Sequence, residues 1–455
     1  MAHILSGSAP AVNSRMMGGM DGAVTRTPLS QEPYWWAAAR PADEPAGPLP
    51  ARCDVAIVGS GITGLNAAIP LARAGRSVLV LDAGALGRGA SSRNAGYVGR
   101  TLKHRFSKLI KTVGLEQALR IYRELQGAFD AVASTIREER IECGFAIRGR
   151  FIPAPSPAHY EGLAREFEEQ AKHLGVQFEM VPRSQQHREL GTDRYHGGAV
   201  VPDLAGLHPA LYHAGLLRSA AAAGVSFAAH TPVQSIRRSD EGCTLTTAGG
   251  QVRAREVVVA TNGYTGRATP WLARRMVPFD AYMVATEPLD PKVMDRVLPT
   301  RRTCIDWNND ALYVRPSPDL TRVLFGGLTG TRPGDLRRKA ERLEQTLKRT
   351  FPDLRDVSLA HVWTGRCAAT RDMFPHLKRE GPITYAGGYC FAGVPMGTWL
   401  GRKAALGIVR SPEAATIFSE LAFRGLPLHR GGSWFVPAAM AYYRWQDRRD
   451  AAARS

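Results

Sequence analysis

One stretch, residues 53–82, has the sequence CDVAIVGSGITGLNAAIPLARAGRSVLVLD and restricts the chain more than any other. Residues 55–58 form a short apolar run, as a fully buried strand does. Gly59, Gly61 and Gly64 follow with the spacing G-x-G-x-x-G. Leu65, Ala68, Leu71 and Ala72 then fall on one face of a helix that Gly75 ends. A second apolar run, 78–81, closes on Asp82. The pattern predicts a βαβ unit of roughly thirty residues, with its acidic residue about twenty positions past the glycines. The first glycine permits the tight turn, the second lets the backbone approach a pyrophosphate, and the third lets the helix pack on the strand. Free N–H groups and the dipole at the helix start attract phosphates. Asp82 can accept from both hydroxyls of a ribose. The stretch therefore points to a dinucleotide site, and by itself does not separate FAD from NAD.

The 455 residues suffice for more than one domain with its own core. An apolar share of 44% and a charged share of 22% are those of an ordinary globular protein. The net charge of +18 is not ordinary, and raises nucleic acid, an anionic membrane surface or an acidic substrate. Yet the basic residues are spread in short clusters such as Arg237-Arg238, Arg274-Arg275 and Arg301-Arg302, with no aromatic-interleaved basic tract. A solvated basic surface is expected, and nucleic acid is not an expected partner. The cysteines at 53, 143, 243, 304, 367 and 390 lack C-x-x-C spacing. They suit buried thiols of a reducing, cytoplasmic compartment better than disulfides or zinc ligands. The histidines show no metal-ligand pattern, so no metal is expected. No apolar run reaches the roughly eighteen residues of a membrane span. Residues 1–30 lack the apolar core of a signal peptide and are expected to be a disordered leader. Tyr34, Trp35 and Trp36, before a proline-rich link at 41–50, are expected to pin that leader to the surface.

Beyond Asp82, the glycine-rich segment 84–100 suits a loop laid against a ligand. Helices are expected at 115–140, 158–174, 208–223, 337–350 and 398–409. Strands are expected at 144–153, 231–236, 256–260, 276–286, 311–315, 322–326, 356–363 and 383–386, with a hairpin around Gly249-Gly250. Within 144–153, Phe145, Ile147 and Phe151 alternate against Arg148 and Arg150, which places the two arginines on the polar face. The tail, 434–448, is aromatic and basic with helical spacing, and is expected to pack on the nucleotide domain.

Four separated motifs carry a resemblance to the FAD-dependent D-amino-acid oxidase superfamily, which includes glycine oxidase, sarcosine oxidase and gamma-glutamylputrescine oxidase. They are GSGITGLNAA at 59–68; GRGASSRNAGYV at 87–98; Val233 in TPVQSI with VVVATNGYT at 257–265; and a C-terminal pair. In that pair, Trp363, Gly365, Thr370, Asp372 and Pro375 match W-x-G-x(4)-T-x-D-x-x-P, and YAGGYCFAGVPMG at 385–397 precedes the last helix. Thr63-Gly64-Leu65 and the ATNGYT run are similar to the gamma-glutamylputrescine oxidase branch. The resemblance implies FAD as cofactor. It also implies an α/β fold in which a discontinuous Rossmann-like FAD-binding domain carries an inserted mixed β-sheet substrate domain. The expected partition gives 1–50 to leader and linker, and 51–145, 201–268 and 356–455 to the FAD-binding domain and tail. The substrate domain takes 146–200 and 269–355.

The resemblance further implies that FAD is held by Gly59, Ser60, Gly61, Ile62, Thr63, Gly64, Asp82 and Ala83, and by Gly89, Ala90, Ser91, Arg93, Asn94 and Gly96. Val233, Ala260, Thr261, Asn262, Gly388, Gly393, Val394 and Met396 complete the set. Donors near Gly393 would lie beside the flavin's pyrimidine edge, where charge develops on reduction. No His lies among Ser91 to Gly96, Gly365 stands where sarcosine oxidases carry a flavin-linking Cys, and Cys367 is out of register. Noncovalent FAD is therefore expected. Pro395 stands where some relatives place a carboxylate-clamping basic residue. Arg315, Tyr389, Arg100 and Tyr313 are the candidates for contact with the substrate or the ring. The implied reaction oxidises the C–N bond of a small-molecule amine or amino-acid derivative to an imine, with oxygen or a quinone as electron acceptor. A 2-hydroxy-acid oxidase or an FAD-dependent tRNA-modifying enzyme on the same fold stays open.

Overall fold

The computed structural model describes residues 28–43, 47–330 and 335–452. The apolar runs form a parallel sheet whose strands are covered on both faces, so Val55, Ala56, Ile57 and residues 78–81 are almost wholly buried. Arg52–Val58 pairs in parallel with Val78–Leu81 on one side and Gly250–Val259 on the other. Ser226–Ala228 adds beyond the former and Ile383–Gly387 beyond the latter. Successive connections thus leave Arg52–Val58 in opposite directions, which makes its carboxyl end the switch point where ligands bind in sheets of this kind. The expected hairpin and the expected apolar strand at 256–260 are one element. The first half of Gly250–Val259 pairs antiparallel with Gly242–Thr247, and its second half runs in the parallel sheet. The strand expected at 231–236 forms instead at Ser235–Ser239.

Helices Ile62–Arg73, Leu115–Glu138 and Gly393–Ile408 share one core with this sheet. The last begins five residues before the expected start, because tertiary packing overrides the poor helix propensity of Gly393 and Gly397. A Cβ on Gly401 would lie 2.4 Å from the Thr63 carbonyl oxygen, and one on Gly397 3.0 Å from Thr63 Oγ1. These glycines let the helix lie against Ile62–Arg73, so two helix N-termini open onto one region.

A second sheet of eight strands runs in the order 359–369, 277–286, 323–330, 313–316, 303–305, 150–153, 198–201, 179–181. The expected partition assigns 356–455 to the FAD-binding segments, but Leu359–Ala369 pairs along its length with Val277–Thr286 in this second sheet. The motif residues Trp363 and Gly365 therefore belong to the wall opposite the glycine cradle. The leader expectation also needs correction. Trp35 is fully buried against Trp363 and His208, and the Trp36 Nε1 donates to Ser92 Oγ at 3.0 Å. Residues 28–43 are part of the folded body, while 1–27 lie outside the described residues.

Candidate active site

A cavity of about 1280 Å³ opens at the carboxyl end of Arg52–Val58 and runs to the second sheet. Its first end is built from backbone. Gly59 sits at φ +107°, where a Cβ would stand 2.9 Å from the Ala260 carbonyl oxygen. A Cβ on Gly64 would fall 2.0 Å from the Gly59 oxygen, and one on Gly61 2.7 Å from Ser91 Oγ. Three glycines thus bring strand, helix and the Ser91 loop into a contact that side chains forbid. The Ile62 N–H donates to Ser91 Oγ at 3.0 Å. Asp82 accepts from Ser60 N (2.9 Å) and Ser60 Oγ (2.6 Å) through one oxygen, and from Gly84 N (3.1 Å) through the other. Asn94 ties its own loop, donating to the carbonyls of Ala90 and Ser91 and accepting from Gly96 N.

Of the expected cofactor residues, Gly59, Gly61, Ile62, Thr63, Asp82, Ala83, Gly89, Ala90, Ser91, Arg93 and Asn94 line the cavity. So do Val233, Ala260, Thr261, Asn262, Gly393 and Val394. Ser60, Gly64, Gly96, Gly388 and Met396 do not, and each has other work. Ser60 holds Asp82. Gly96 leaves room for the Leu207 carbonyl and the Arg315 guanidinium. Gly388, at φ +81°, donates to Asn262 Oδ1 at 2.9 Å. Met396 is buried in the helical core. The loop before the last helix holds Cys390 and Phe391 at φ 41° and 76°, and helix Gly393–Ile408 starts without a side-chain cap.

The four expected substrate residues separate. Tyr389 lines the cavity, and its hydroxyl pairs with Thr63 Oγ1 at 2.7 Å, joining the last loop to the first helix. Tyr313 lines it too, donating to the Tyr282 carbonyl at 3.0 Å. Arg100 lines it while paired with Asp203 at 2.6 Å. Arg315 does not reach the cavity. Its Nη1 donates to the carbonyls of Ala95 (2.8 Å), Leu207 (2.9 Å) and Gly96 (3.3 Å), and its guanidinium lies 5.4 Å from the Trp35 ring centre. Arg315, expected to contact the substrate or the ring, is instead a buried strut that fastens the loops carrying those carbonyls.

Two residues were missed. Arg150, expected on a polar face, is 2% exposed and lines the cavity, with its Nη2 lacking any partner among the described residues. Asp306 also lines it, and burial pushes its carboxyl up to about 7 while the N–H groups of Asn308 and Leu312 hold it in a turn. Alternation misassigned Arg150, since Gly149 at φ +80° breaks the strand before it. Cys367 and Cys390 face the cavity, and burial raises their thiols to about 12 and about 11. Both are protonated at neutral pH and poor nucleophiles.

The cavity exceeds the roughly 300–1,000 Å³ of drug-sized sites. It runs from a ribose-suited carboxylate through two helix N-termini to an aromatic wall. That length and the glycine cradle fit FAD, which Gly59, Gly61, Asp82, Ser91 and Gly393 would hold. The comparisons agree. Residues 54–406 match the family model DAO, FAD dependent oxidoreductase. The chain is 30% identical over 408 residues to gamma-glutamylputrescine oxidoreductase of Escherichia coli (strain K12), covering 87% of this chain and 93% of that protein. A protein named "Probable oxidoreductase OrdL" of Rhizobium meliloti (strain 1021) is 28% identical over 441 residues, covering 93% of this chain and 99% of its own length. The crystal structure of glycine oxidase from Geobacillus kaustophilus superposes with a TM-score of 0.69 at 23% identity, covering 83% of this chain and 99% of that one. Glycine cradle, cavity and sequence match together place this chain in the DAO family of FAD dependent oxidoreductases.

Proposed function

We propose that the chain oxidises the C–N bond of an amine or amino-acid derivative to an imine, which water then hydrolyses. The observation that carries this reading is a single cavity joining the glycine cradle to a second-sheet wall of Tyr313, Trp363 and Arg150. Bound there, the flavin supplies the two-electron chemistry. The protein's part is to orient and to exclude water. Helix Gly393–Ile408 directs its dipole at the site, favouring negative charge there. The Tyr389–Thr63 pair fixes the loop that leads into that helix. Trp363, wholly buried and donating to the Arg93 carbonyl at 2.9 Å, holds the far wall.

His104 bears on the hydroxy-acid alternative, which needs a histidine base. It lines the cavity, and its Nε2 donates to the Asp372 carbonyl at 2.6 Å, which leaves Nδ1 as the accepting nitrogen of the neutral ring. The amine reading needs no such base. The likeness to gamma-glutamylputrescine oxidoreductase supports a secondary or gamma-glutamylated amine as substrate. Oxygen or a quinone would take the electrons. The raised thiols of Cys367 and Cys390 support noncovalent FAD. The free cysteines support a cytoplasmic site of action, and no helix among the described residues is long and apolar enough to cross a membrane. Anaerobic mixing with a panel of amines and 2-hydroxy acids tests the reading. Amines should bleach the flavin absorption band; bleaching by hydroxy acids alone would overturn it.

A further inference from the structure

We propose that the C-terminal segment, residues 427–449, docks the protein on an anionic phospholipid surface. This goes beyond the oxidation reading and does not depend on it.

Helix Val436–Ala452 carries apolar residues on two opposite sides. One side packs inward. Val436 and Met440 are buried in a cluster with Val277, Phe279, Ala369 and Cys390. Polar bonds fix that side: Asp447 accepts from Asn309 N at 2.9 Å and from Asp310 N at 3.1 Å, and Arg444 donates to Asp310 Oδ2 at 3.2 Å. The opposite side presents Ala438, Ala441, Tyr442, Trp445, Arg448 and Arg449, all exposed and spaced as one helical face. A helix that is apolar all round is normally covered all round, and among the described residues nothing covers this face.

The loop before the helix adds to it. Leu428 is 99% exposed and Trp434 81%. Leu428 is held outward: it sits at φ 56° while its neighbours are tied down, Leu426 N to the Arg274 carbonyl at 3.0 Å and His429 Nε2 to the Met276 carbonyl at 2.7 Å. Ring contacts from His429 to Phe435 and from Phe435 to Trp434 join loop and helix. Tyr442 and Trp445 stack at 5.8 Å, and the Arg449 guanidinium lies 5.1 Å from the Trp445 ring centre.

Charge selects the occupant. Residues 427–449 hold four arginines and one acid, Asp447, which turns inward, in a chain of net charge +18. A second copy would bring arginines against arginines, whereas an anionic surface complements them. Nucleic acid would leave Leu428 and the alanines without a partner. Tryptophan, tyrosine and arginine together suit the headgroup layer of a bilayer, where the rings enter the interface and the cations meet lipid phosphate.

Cosedimentation of the FAD-loaded full chain with vesicles tests this. Phosphatidylglycerol vesicles should bind at least about ten-fold more tightly than phosphatidylcholine vesicles, and high salt should release the protein. Replacing Trp434 and Trp445 together by Ala should weaken binding by about ten-fold or more. Replacing Arg448 and Arg449 together by Gln should weaken it by about 10- to 30-fold. FAD content should stay unchanged in both. Should a variant fail to fold, the salt series and quenching of wild-type tryptophan fluorescence by brominated phosphatidylglycerol decide. The proposal is overturned if the two lipids bind equally or not at all, if both folded variants keep the affinity, or if the face instead binds tRNA or a second copy. The amine panel reads the reaction separately, so either result can fail without the other.

Discussion

The two ends of the cavity are built on different principles. The cradle at Gly59–Asp82 works through backbone: glycines remove Cβ atoms, and helix starts present N–H groups. Its glycines lie within one βαβ unit, and Gly59 also lets a distant strand approach at Ala260. The opposite wall works through side chains. Trp363, Tyr313 and Arg150 come from three strands of the second sheet, spread over more than 200 positions of the chain. A backbone cradle recognises what all FAD molecules share. A side-chain wall can change its chemistry without changing the fold, so specificity belongs there.

The sharpest break of this contrast is Gly61→Val. Its branched side chain would displace Ser91 Oγ and fill the approach to the helix start, so FAD occupancy measured by absorbance should be abolished. A variant retaining full FAD would undo the cradle assignment. Next comes Arg315→Gln, which strips a donor from the carbonyls of Ala95 and Leu207. It should cost about 2–4 kcal/mol in urea unfolding while leaving FAD content intact. Arg150→Gln removes a guanidinium that lines the cavity and does not end on backbone carbonyls, so it should cost less stability, and equal losses in the two variants would erase the distinction between strut and cavity residue. Tyr389→Phe removes the bond to Thr63 and should cost about 1 kcal/mol with FAD retained. Complete loss of FAD in that variant would make the hydroxyl a direct cofactor ligand.

The smallest effect is expected at the amino end of Arg52–Val58. Asp54 accepts from Ser77 N and Ser77 Oγ at 2.9 and 2.8 Å, and these bonds lower its carboxyl below the usual value. Its contribution is complete above the unfolded carboxylate value of about 4 and is lost as pH falls through the lower folded value. Asp54→Ala should therefore cost less than about 1 kcal/mol at neutral pH, after solvent screening. The difference from wild type should vanish once the pH lies below that folded value. A gap that persisted there would assign the effect to packing.

Much of the cradle was legible because its information is local. Glycine spacing, apolar runs and Asp82 fall within one βαβ unit, and the period of each run announces its element. The start of the last helix was misjudged, since glycine propensity argues against helix and only the fit of Gly397 and Gly401 over Thr63 argues for it. Leu359–Ala369 was assigned to the wrong sheet because an apolar strand does not carry the identity of its neighbour. Arg150 and Arg315 were misplaced for a related reason. Both are arginines at strand positions, and which one meets carbonyls and which meets a cavity depends on loops far away in sequence.

The chain alone therefore determined the βαβ unit, since close backbone approach to a pyrophosphate requires particular glycines at fixed spacing, while FAD and the family followed from the resemblance of four separated motifs. Only the tertiary structure decided where Trp363 stands, that Arg315 fastens loops and that Arg150 faces the cavity uncompensated. Burial and hydrogen-bond partners are properties of surfaces brought together by folding, and no single segment contains them.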